Sequence, residues 1–136
     1  MNFLVTGGAG FIGSHVCERL LRDGHAVWAF DDLNNFYDPQ FKQRNLREIQ
    51  ALAKPFEFVR GDITDRAALD GIFSSVRFDQ VIHLAARAGV RPSLAEPALY
   101  QRVNVEGTVN VLEAARQSGV RKITIASSSS VLEFTP

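Results

Sequence analysis

Three glycines near the N-terminus have the spacing of a phosphate-binding turn. After a short apolar run, the chain reads Gly7-Gly8-Ala9-Gly10-Phe11-Ile12-Gly13. Between a strand and a helix, the first glycine permits the tight bend, the second lets the backbone approach a pyrophosphate, and the third lets the helix pack closely on the strand. The start of the helix then offers unpaired N–H groups and the positive end of its dipole to phosphate oxygens. We therefore expect a dinucleotide to contact Gly7, Gly10, Phe11, Ile12 and Gly13.

An acidic residue follows the next apolar run, where a ribose would lie. Asp31 stands directly after Val27-Trp28-Ala29-Phe30. A carboxylate at this point of a dinucleotide-binding unit accepts both hydroxyls of an adenosine ribose and repels a 2′-phosphate. The predicted cofactor is therefore NAD rather than NADP. The alternative interpretation is that Asp31 and Asp32 only form a turn after a strand.

Alternating strands and helices must position these residues. Short apolar runs rich in Val, Ile and Phe occupy residues 2–6, 26–30, 56–60, 80–84 and 122–126. Few polar residues interrupt these runs, as is typical of strands that are buried on both faces of a parallel sheet. The intervening segments have helical spacing. The predicted fold class is therefore α/β, a doubly wound parallel sheet of the Rossmann type.

Helical spacing predicts four helices, over residues 11–22, 41–52, 66–74 and 99–117. Asp65 is placed to cap the third helix. In the first helix the apolar residues are expected on one, buried side: Phe11, Ile12, Val16, Leu20 and Leu21. Residues 34–39 are polar and aromatic and end in proline, which predicts an irregular loop after the second strand.

The composition favours one domain that binds a small molecule. Of the 136 residues, 46% are hydrophobic, which is enough for one compact core but not for two domains. Fifteen basic and fifteen acidic residues cancel, so the overall charge attracts neither nucleic acid nor an anionic membrane. The N-terminal apolar run is too short for a signal peptide or a membrane span. The single cysteine, Cys17, is expected to be a small core residue, and the protein is expected in the cytoplasm.

Two further features are not expected to carry chemistry. No cluster of Cys, His, Asp and Glu has the spacing of a metal site, so no metal is predicted. His83 ends an apolar run, where a single histidine is more often structural than an acid or base. The serine tract over residues 127–130 resembles a flexible linker in isolation, but its position directly after a strand argues against a linker.

Taken in order along the chain, the motifs resemble those of the extended short-chain dehydrogenase/reductase family, in its NAD-dependent epimerase/dehydratase branch. They are the glycine turn, Asp31, Gly61-Asp62-Ile63-Thr64-Asp65, His83-Leu84-Ala85-Ala86 and Asn104-Val105-Glu106-Gly107-Thr108. Asp32-Leu33-Asn34 and Ala88-Gly89-Val90-Arg91 are most similar to the UDP-glucuronate and UDP-glucose 4-epimerases. The resemblance spans essentially the whole chain.

The resemblance implies a role for residues whose function spacing alone does not assign. Asp62 and Ile63 would flank the adenine, and Asn34 would contact the cofactor after the second strand. Leu84, Ala85 and Ala86 would line the dinucleotide, and Asn104 would lie near the nicotinamide. Ser127 would contact the cofactor and Ser128 would be catalytic, bonding the sugar oxygen. Arg87 and Arg91 would face the substrate cleft; the alternative interpretation of Arg91 is a solvated side chain.

The match breaks at the residues that transfer protons in this family. A Tyr-x-x-x-Lys pair is required, in which the lysine lowers the tyrosine pKa. Only Tyr37 and Tyr100 are present, and Phe41 and Asn104 stand four residues after them. The family pattern after the serines continues Val-Tyr-Gly, whereas here Val131 is followed by Leu132-Glu133-Phe134. Two interpretations fit this departure. The first is a natural truncation or frameshift, and the second is an expressed fragment whose last residues were added for expression.

These departures set the functional expectations. Residues 1–136 would form an NAD-binding domain truncated after about the fifth strand, without the C-terminal substrate domain. The intact relative would epimerise a UDP-sugar at C4 through a 4-keto intermediate, and this chain would be inactive alone. Self-association or a homodimer is expected from the exposed sheet edge. The alternatives are a non-catalytic dinucleotide-binding module and an inert fragment.

Overall fold

Five parallel strands form a single sheet in the computed structural model, which describes residues 1–128. The strands are β1 (Asn2–Thr6), β2 (Ala26–Asp31), β3 (Phe56–Arg60), β4 (Gln80–His83) and β5 (Lys122–Ile125). Their spatial order is β3-β2-β1-β4-β5, and every pairing is parallel. The predicted doubly wound α/β fold is confirmed. The departure from the family pattern at residues 131–136 lies outside the described residues.

Helices connect the strands on both faces of the sheet. They are α1 (Phe11–Arg22), α2 (Pro39–Gln50), α3 (Arg66–Ser75), α4 (Val90–Ala95), α5 (Pro97–Gln101) and α6 (Thr108–Gln117). A π-helical segment, Arg102–Gly107, joins α5 to α6. None of the helices within residues 1–128 has the length and apolar character needed to cross a bilayer.

The core has two parts because successive side chains of a strand point to opposite faces. On β1, Leu4 packs in one cluster with residues of α3 and α6. The next residue, Val5, packs in the other cluster with Cys17 of α1 and Ile49 of α2. All four of these side chains are fully buried. The prediction that Cys17 is a core residue is confirmed, and burial raises the pKa of its thiol to about 12.

Two helices differ from the sequence prediction near the second and fourth strands. The helix after β2 begins at Pro39, two residues earlier than predicted, because Asp38 caps it by accepting a hydrogen bond of 2.9 Å from the Gln40 N–H. Proline is favoured at this first position, where its missing N–H costs nothing. The short helix α4 was not predicted. It follows Gly89, whose φ of 98° turns the chain.

The predicted buried side of α1 is confirmed for Val16, Leu20 and Leu21 and wrong for Phe11 and Ile12. Phe11 and Ile12 are 74% and 64% exposed, whereas Gly13, Ser14, Cys17 and Leu21 are buried. The reason is the close approach of the helix to the turn before it: a Cβ at Gly13 would overlap the carbonyl of Gly7. The helix therefore packs through its small residues, and its apolar first turn faces outward.

The order of the strands creates a crevice at one edge of the sheet. The chain leaves β1 for β2 on one side and reaches β4 on the other side. Thr6, the last residue of β1, is level with Phe30 and His83 in the neighbouring strands. In open α/β sheets, ligands bind outside the carboxyl ends of the strands at such a point. The glycine turn, Asp31 and the motifs that begin at Gly61 and His83 lie at or directly after strand ends, whereas the Asn104 motif lies in the π-helical segment.

Candidate functional site

The glycine turn approaches both neighbouring strands closely. Gly7 adopts a φ of 68° and donates from its N–H to the Phe30 carbonyl at 2.8 Å. A Cβ at Gly7 would lie 2.9 Å from the Ala85 nitrogen, so only glycine fits. A Cβ at Gly10 would lie 3.2 Å from the Gly7 carbonyl oxygen and 3.7 Å from the Tyr37 hydroxyl, and both Gly10 and Tyr37 line the cleft. The missing Cβ at Gly10 therefore leaves space for a ligand against the backbone.

The first turn of α1 is suited to binding an anion. Its N-terminal cap residue is Gly10, which offers no side chain to the helix N–H groups, and the first turn contains no acidic residue. Phe11, Ile12 and Gly13 line the cleft with Gly10. Unpaired N–H groups and the positive end of the helix dipole favour phosphate oxygens at this position.

Asp31 ends β2 and is hydrogen-bonded on both carboxylate oxygens. Oδ2 accepts from the Ala9 N–H at 3.2 Å, which ties β2 to the glycine turn. Oδ1 accepts from the Leu33 N–H at 2.9 Å and from Lys42 Nζ at 2.9 Å. A carboxylate has about four acceptor positions. Three are filled, so this geometry leaves Asp31 one position for a ribose hydroxyl rather than the two that the sequence predicted.

Lys42 is a cleft residue that the sequence analysis missed. Its side chain is 6% exposed and its ammonium also lies 3.8 Å from Asp32 Oδ1. A signal was present: Lys42 precedes Leu46 and Ile49 on the buried face of α2, where a lysine breaks the apolar pattern. A charged side chain at such a position is buried only when it is paired. The pattern therefore pointed to an acidic partner without identifying it.

The helix α2 is also fixed to the glycine turn. Asn45 donates from Nδ2 to the Ala9 carbonyl at 2.9 Å. The preceding loop, residues 32–38, lines the end of the cleft where Asp31 lies, with the Tyr37 ring 5.6 Å from Lys42 Nζ. Burial raises the pKa of Tyr37, so its hydroxyl stays protonated near neutral pH. Asn34 holds this loop by donating to Asp32 Oδ1 at 2.6 Å.

A buried network supports the opposite wall of the cleft. Thr6 Oγ1 accepts from the N–H groups of Leu84 and Ala85, each at 3.2 Å. Its hydroxyl must then donate to His83 Nδ1, 2.6 Å away. The Thr108 hydroxyl donates to the Asn104 carbonyl and accepts from His83 Nε2 at 2.9 Å. His83 is therefore neutral with its proton on Nε2.

Asn104 holds the end of the same wall. Its side-chain oxygen accepts from the Arg87 N–H at 2.7 Å, and its nitrogen donates to the Arg87 carbonyl at 2.9 Å. Asn104 lies in the π-helical segment, whereas the sequence predicted one continuous α-helix over 99–117. A π-helical turn contains an extra residue compared with an α-helical turn, and such turns often occur at functional sites. In this structure the segment places Asn104 against the loop after β4.

The part of the cleft after β3 is lined by Asp62 and Ile63, the two residues that the motif singled out. Asp62 Oδ1 accepts from the Thr64 N–H at 2.8 Å, which stabilises the turn after β3. Ile63 is 4% exposed and packs against Gly107, where a Cβ would lie 2.6 Å from Ile63 Cδ1. The missing side chain of Gly107 therefore lets the π-helical segment approach Ile63, which lines the cleft.

These elements enclose a cleft of about 340 Å³, a volume typical of small-molecule sites. Most of the predicted cofactor residues line it: Gly7, Gly10, Phe11, Ile12, Gly13, Asp31, Asn34, Asp62, Ile63, Leu84, Ala85 and Ala86. Asn104, Ser127 and Ser128 are not in its lining, although their neighbours Val103 and Ala126 are. Arg87 lines the cleft and Arg91 is exposed outside it. Within residues 1–128, no three His, Cys, Asp or Glu side chains are grouped to hold a metal.

Comparison with known proteins assigns the family. The family model described as GDP-mannose 4,6 dehydratase matches residues 4–132. The chain belongs to the GDP-mannose 4,6 dehydratase family. This family comprises NAD-dependent epimerases and dehydratases, so the resemblance inferred from the motifs is confirmed.

Within the GDP-mannose 4,6 dehydratase family, the chain is similar to sugar-nucleotide 4-epimerases. It is 47% identical over 129 residues to a UDP-glucuronate 4-epimerase of Thermodesulfobacterium geofontis, covering 95% of this chain and 40% of the relative. It is 43% identical over 136 residues to a UDP-glucose 4-epimerase of Mycolicibacterium smegmatis, covering 100% of this chain and 41% of the relative. The chain thus spans about two fifths of the length of these relatives.

Solved epimerase structures that the chain matches have the same fold, and several of them contain NAD. The UDP-glucose 4-epimerase of Bifidobacterium longum, in complex with NAD⁺ and UDP, matches with a TM-score of 0.87 and 32% identity over 96% of this chain and 38% of its own. The enzyme of Stenotrophomonas maltophila, with bound NAD and formylated UDP-arabinopyranose, matches with a TM-score of 0.83 and 37% identity over 96% of this chain and 38% of its own. NAD is thereby confirmed as the cofactor of the family.

Proposed function

We propose that this chain is the NAD-binding part of a UDP-sugar 4-epimerase. The observation that carries the proposal is the cleft at the carboxyl ends of β1, β2 and β4. There the glycine turn faces the small side chains of Ala85 and Ala86, with Asp31 at one end. The relatives of known structure that bind NAD support the choice of cofactor.

The residues of the cleft fit the parts of a dinucleotide. The pyrophosphate would lie at the start of α1 over Gly10, where the absent Cβ leaves space. The adenosine ribose would bond Asp31, and the adenine would lie between Asp62 and Ile63. The nicotinamide would lie against the wall that ends at Ala86, toward Asn104 and Ser127. Asn104 would act on this wall through the Arg87 backbone that it bonds.

The proposed reaction inverts a UDP-sugar at C4. This carbon is oxidised to a ketone and reduced again on the opposite face, and NAD supplies that hydride chemistry when bound. Ser128 follows β5, and we propose that its hydroxyl hydrogen-bonds the sugar oxygen as charge develops. No tyrosine of the 136 residues has a lysine four positions later. We therefore propose that the chain binds NAD but does not turn over a UDP-sugar alone.

Calorimetric titration with NAD and NADP tests this proposal. We expect NAD to bind, NADP to bind more weakly, and Asp31→Ala to lose the preference because the carboxylate that repels the 2′-phosphate is gone. Asp70→Ala is the matched control, since Asp70 is an exposed carboxylate on α3 that pairs with Arg66. Absence of NAD binding by the unmodified chain would overturn the proposal and favour an inert fragment.

An activity assay tests both remaining candidates, the NAD-binding part of an epimerase and a non-catalytic module, since both predict no turnover by the chain alone. The sequence lacks the Tyr-x-x-x-Lys pair, which favours a non-catalytic dinucleotide-binding module as the second candidate function. We expect no epimerisation of UDP-glucose or UDP-glucuronate by the chain alone. Turnover of either sugar would contradict both the module and the proposed dependence on further residues. We also propose a cytoplasmic location, which the buried free thiol of Cys17 supports.

A further inference from the structure

The ribose end of the cleft contains a buried ion pair rather than a single carboxylate. Asp31 and Lys42 have side chains that are 4% and 6% exposed, and their charged atoms are 2.9 Å apart. Both residues line the cleft. Lys42 also lies 3.8 Å from the Asp32 carboxylate. The two carboxylates and one ammonium leave a net charge of about −1 at the position proposed for the ribose.

Lys42 lies near any group that Asp31 binds. Asp31 Oδ1 already accepts two hydrogen bonds, so its open acceptor position is on Oδ2. A ligand atom that is bonded there lies at most about 8 Å from Lys42 Nζ, one carboxylate width and one hydrogen bond beyond the measured contact. An ammonium has three donors, and lysine is a common phosphate ligand. In this structure the carboxylates of Asp31 and Asp32 hold the ammonium. It is therefore close to the ribose position but already neutralised.

We propose that Lys42 is a latent ligand for a ribose 2′-phosphate and that Asp31 masks it. The choice between NAD and NADP is then set by the Asp31–Lys42 pair and not by Asp31 alone. When Asp31 is ionised, it holds the ammonium and repels the 2′-phosphate. When residue 31 is neutral, the same ammonium binds the 2′-phosphate. The inference rests on the proposed function because it needs a dinucleotide in this cleft.

Titration of four proteins with NAD and NADP tests the inference. They are the unmodified chain, Asp31→Asn, Asp31→Asn with Lys42→Gln, and Asp31→Asn with Lys54→Gln. Asparagine retains the acceptor oxygen but lacks the charge. Lys54 is an exposed lysine outside the cleft lining, so its replacement changes the net charge equally without touching the site.

We expect Asp31→Asn to bind NADP roughly ten- to a hundredfold more tightly than the unmodified chain, the range for a hydrogen bond to a charged group. Lys42→Gln should abolish this gain and Lys54→Gln should retain it. The gain should also shrink as salt is added, because the new contact is between charges. Equal NADP affinity of Asp31→Asn with and without Lys42 would overturn the inference. So would the absence of any NADP gain.

The two hypotheses fail separately in this experiment. NAD binding by the unmodified chain without an NADP gain in Asp31→Asn would leave the proposed function intact and overturn the role of Lys42. A gain in NADP affinity that depends on Lys42, without NAD binding by the unmodified chain, would support the role of Lys42 and overturn the proposed function. Thermal unfolding checks that each variant is folded. Asp31→Ser replaces Asp31→Asn if the latter is unfolded, since its hydroxyl also accepts from a backbone N–H.

Discussion

At the scale of single residues, His83 connects the stability of the domain to the wall of the cleft. Both ring nitrogens are hydrogen-bonded, to Thr6 and Thr108, in a buried position. The neutral ring donates through Nε2 and accepts at Nδ1, so protonation would place a second donor against the Thr6 hydroxyl. This arrangement explains why the last residue of β4 is a histidine without assigning it acid or base chemistry.

The His83 network predicts a specific loss of stability in acid. Burial lowers the pKa of His83 below its ordinary value of 6.5. The unfolded chain therefore takes up the proton first as the pH falls. The contribution of neutral His83 to the free energy of unfolding is complete above about pH 6.5. It is lost as the pH falls toward the lower pKa that His83 has in the folded chain. Urea unfolding between pH 8 and pH 5 should show this loss.

His83→Gln is the matched variant for this prediction, because a glutamine amide donates and accepts without titrating. It should flatten the pH dependence of the unfolding free energy over the same range. His15 and His25 remain in both proteins, so the difference between the two curves isolates His83. Identical pH profiles for the two proteins would contradict the assigned network.

At the scale of elements, the surroundings of two helical glycines predict opposite effects of their replacement by alanine. Gly13 lies where α1 contacts the glycine turn, and Gly71 lies in α3. Gly13→Ala should lower the free energy of unfolding by several kcal/mol, since its Cβ would overlap the Gly7 carbonyl and overpacking costs about 1–3 kcal/mol even where relaxation is easy. Gly71→Ala should raise it by about 0.5–1 kcal/mol, because Gly71 lies in α3 with no atom within 4 Å of the new Cβ. Chemical denaturation measures both, and a stable Gly13→Ala would refute the close packing.

The π-helical segment predicts a local effect on the loop after β4. Asn104→Ala removes two hydrogen bonds to the Arg87 backbone, at a cost of about 1–3 kcal/mol. The Arg87 amide should exchange its hydrogen faster, and NAD should bind more weakly because the wall is less ordered. Asn110→Ala is the control for exchange at Arg87, because the Asn110 side chain bonds the Ile63 carbonyl, at 3.2 Å, and not the Arg87 backbone. Unchanged exchange at Arg87 in Asn104→Ala would contradict this role.

At the scale of the whole molecule, an exposed apolar stripe predicts association between copies of the chain. Val105, Val109 and Leu112 are 55%, 57% and 37% exposed, at helical spacing along the segment that ends in α6. The outer strand β5 also exposes Ile125, which is 47% accessible. Exposed apolar surface and strand edges favour self-association.

Sedimentation velocity over a range of concentrations checks this prediction. The unmodified chain should become larger with concentration, and Val109→Lys should shift the equilibrium toward the monomer because it buries a charge in the contact. Val90→Lys is the control, as Val90 is 73% exposed on the separate helix α4. A monomer at every concentration would show that the stripe does not mediate contacts between copies.

The sequence by itself determined the fold class and most of the cleft. Strand runs, the glycine turn and Asp31 were identifiable because they depend on local properties: side-chain periodicity, backbone freedom and the position of a residue after a strand. Asp65 caps α3 as predicted, accepting from the Ala68 N–H at 3.2 Å, for the same local reason. The family motifs added Asp62 and Ile63, which line the cleft.

The tertiary structure alone decided the contacts between elements that are distant in the chain. Lys42 pairs with Asp31 because α2 packs beside the glycine turn, and a lysine on a helix does not indicate its partner. The buried side of α1 depended on how closely Gly13 approaches Gly7, which the apolar spacing does not encode. Asn104 bonds the Arg87 backbone, and Gly107 of the same π-helical segment packs against Ile63. Each of these contacts is set by packing between elements, which local patterns do not specify.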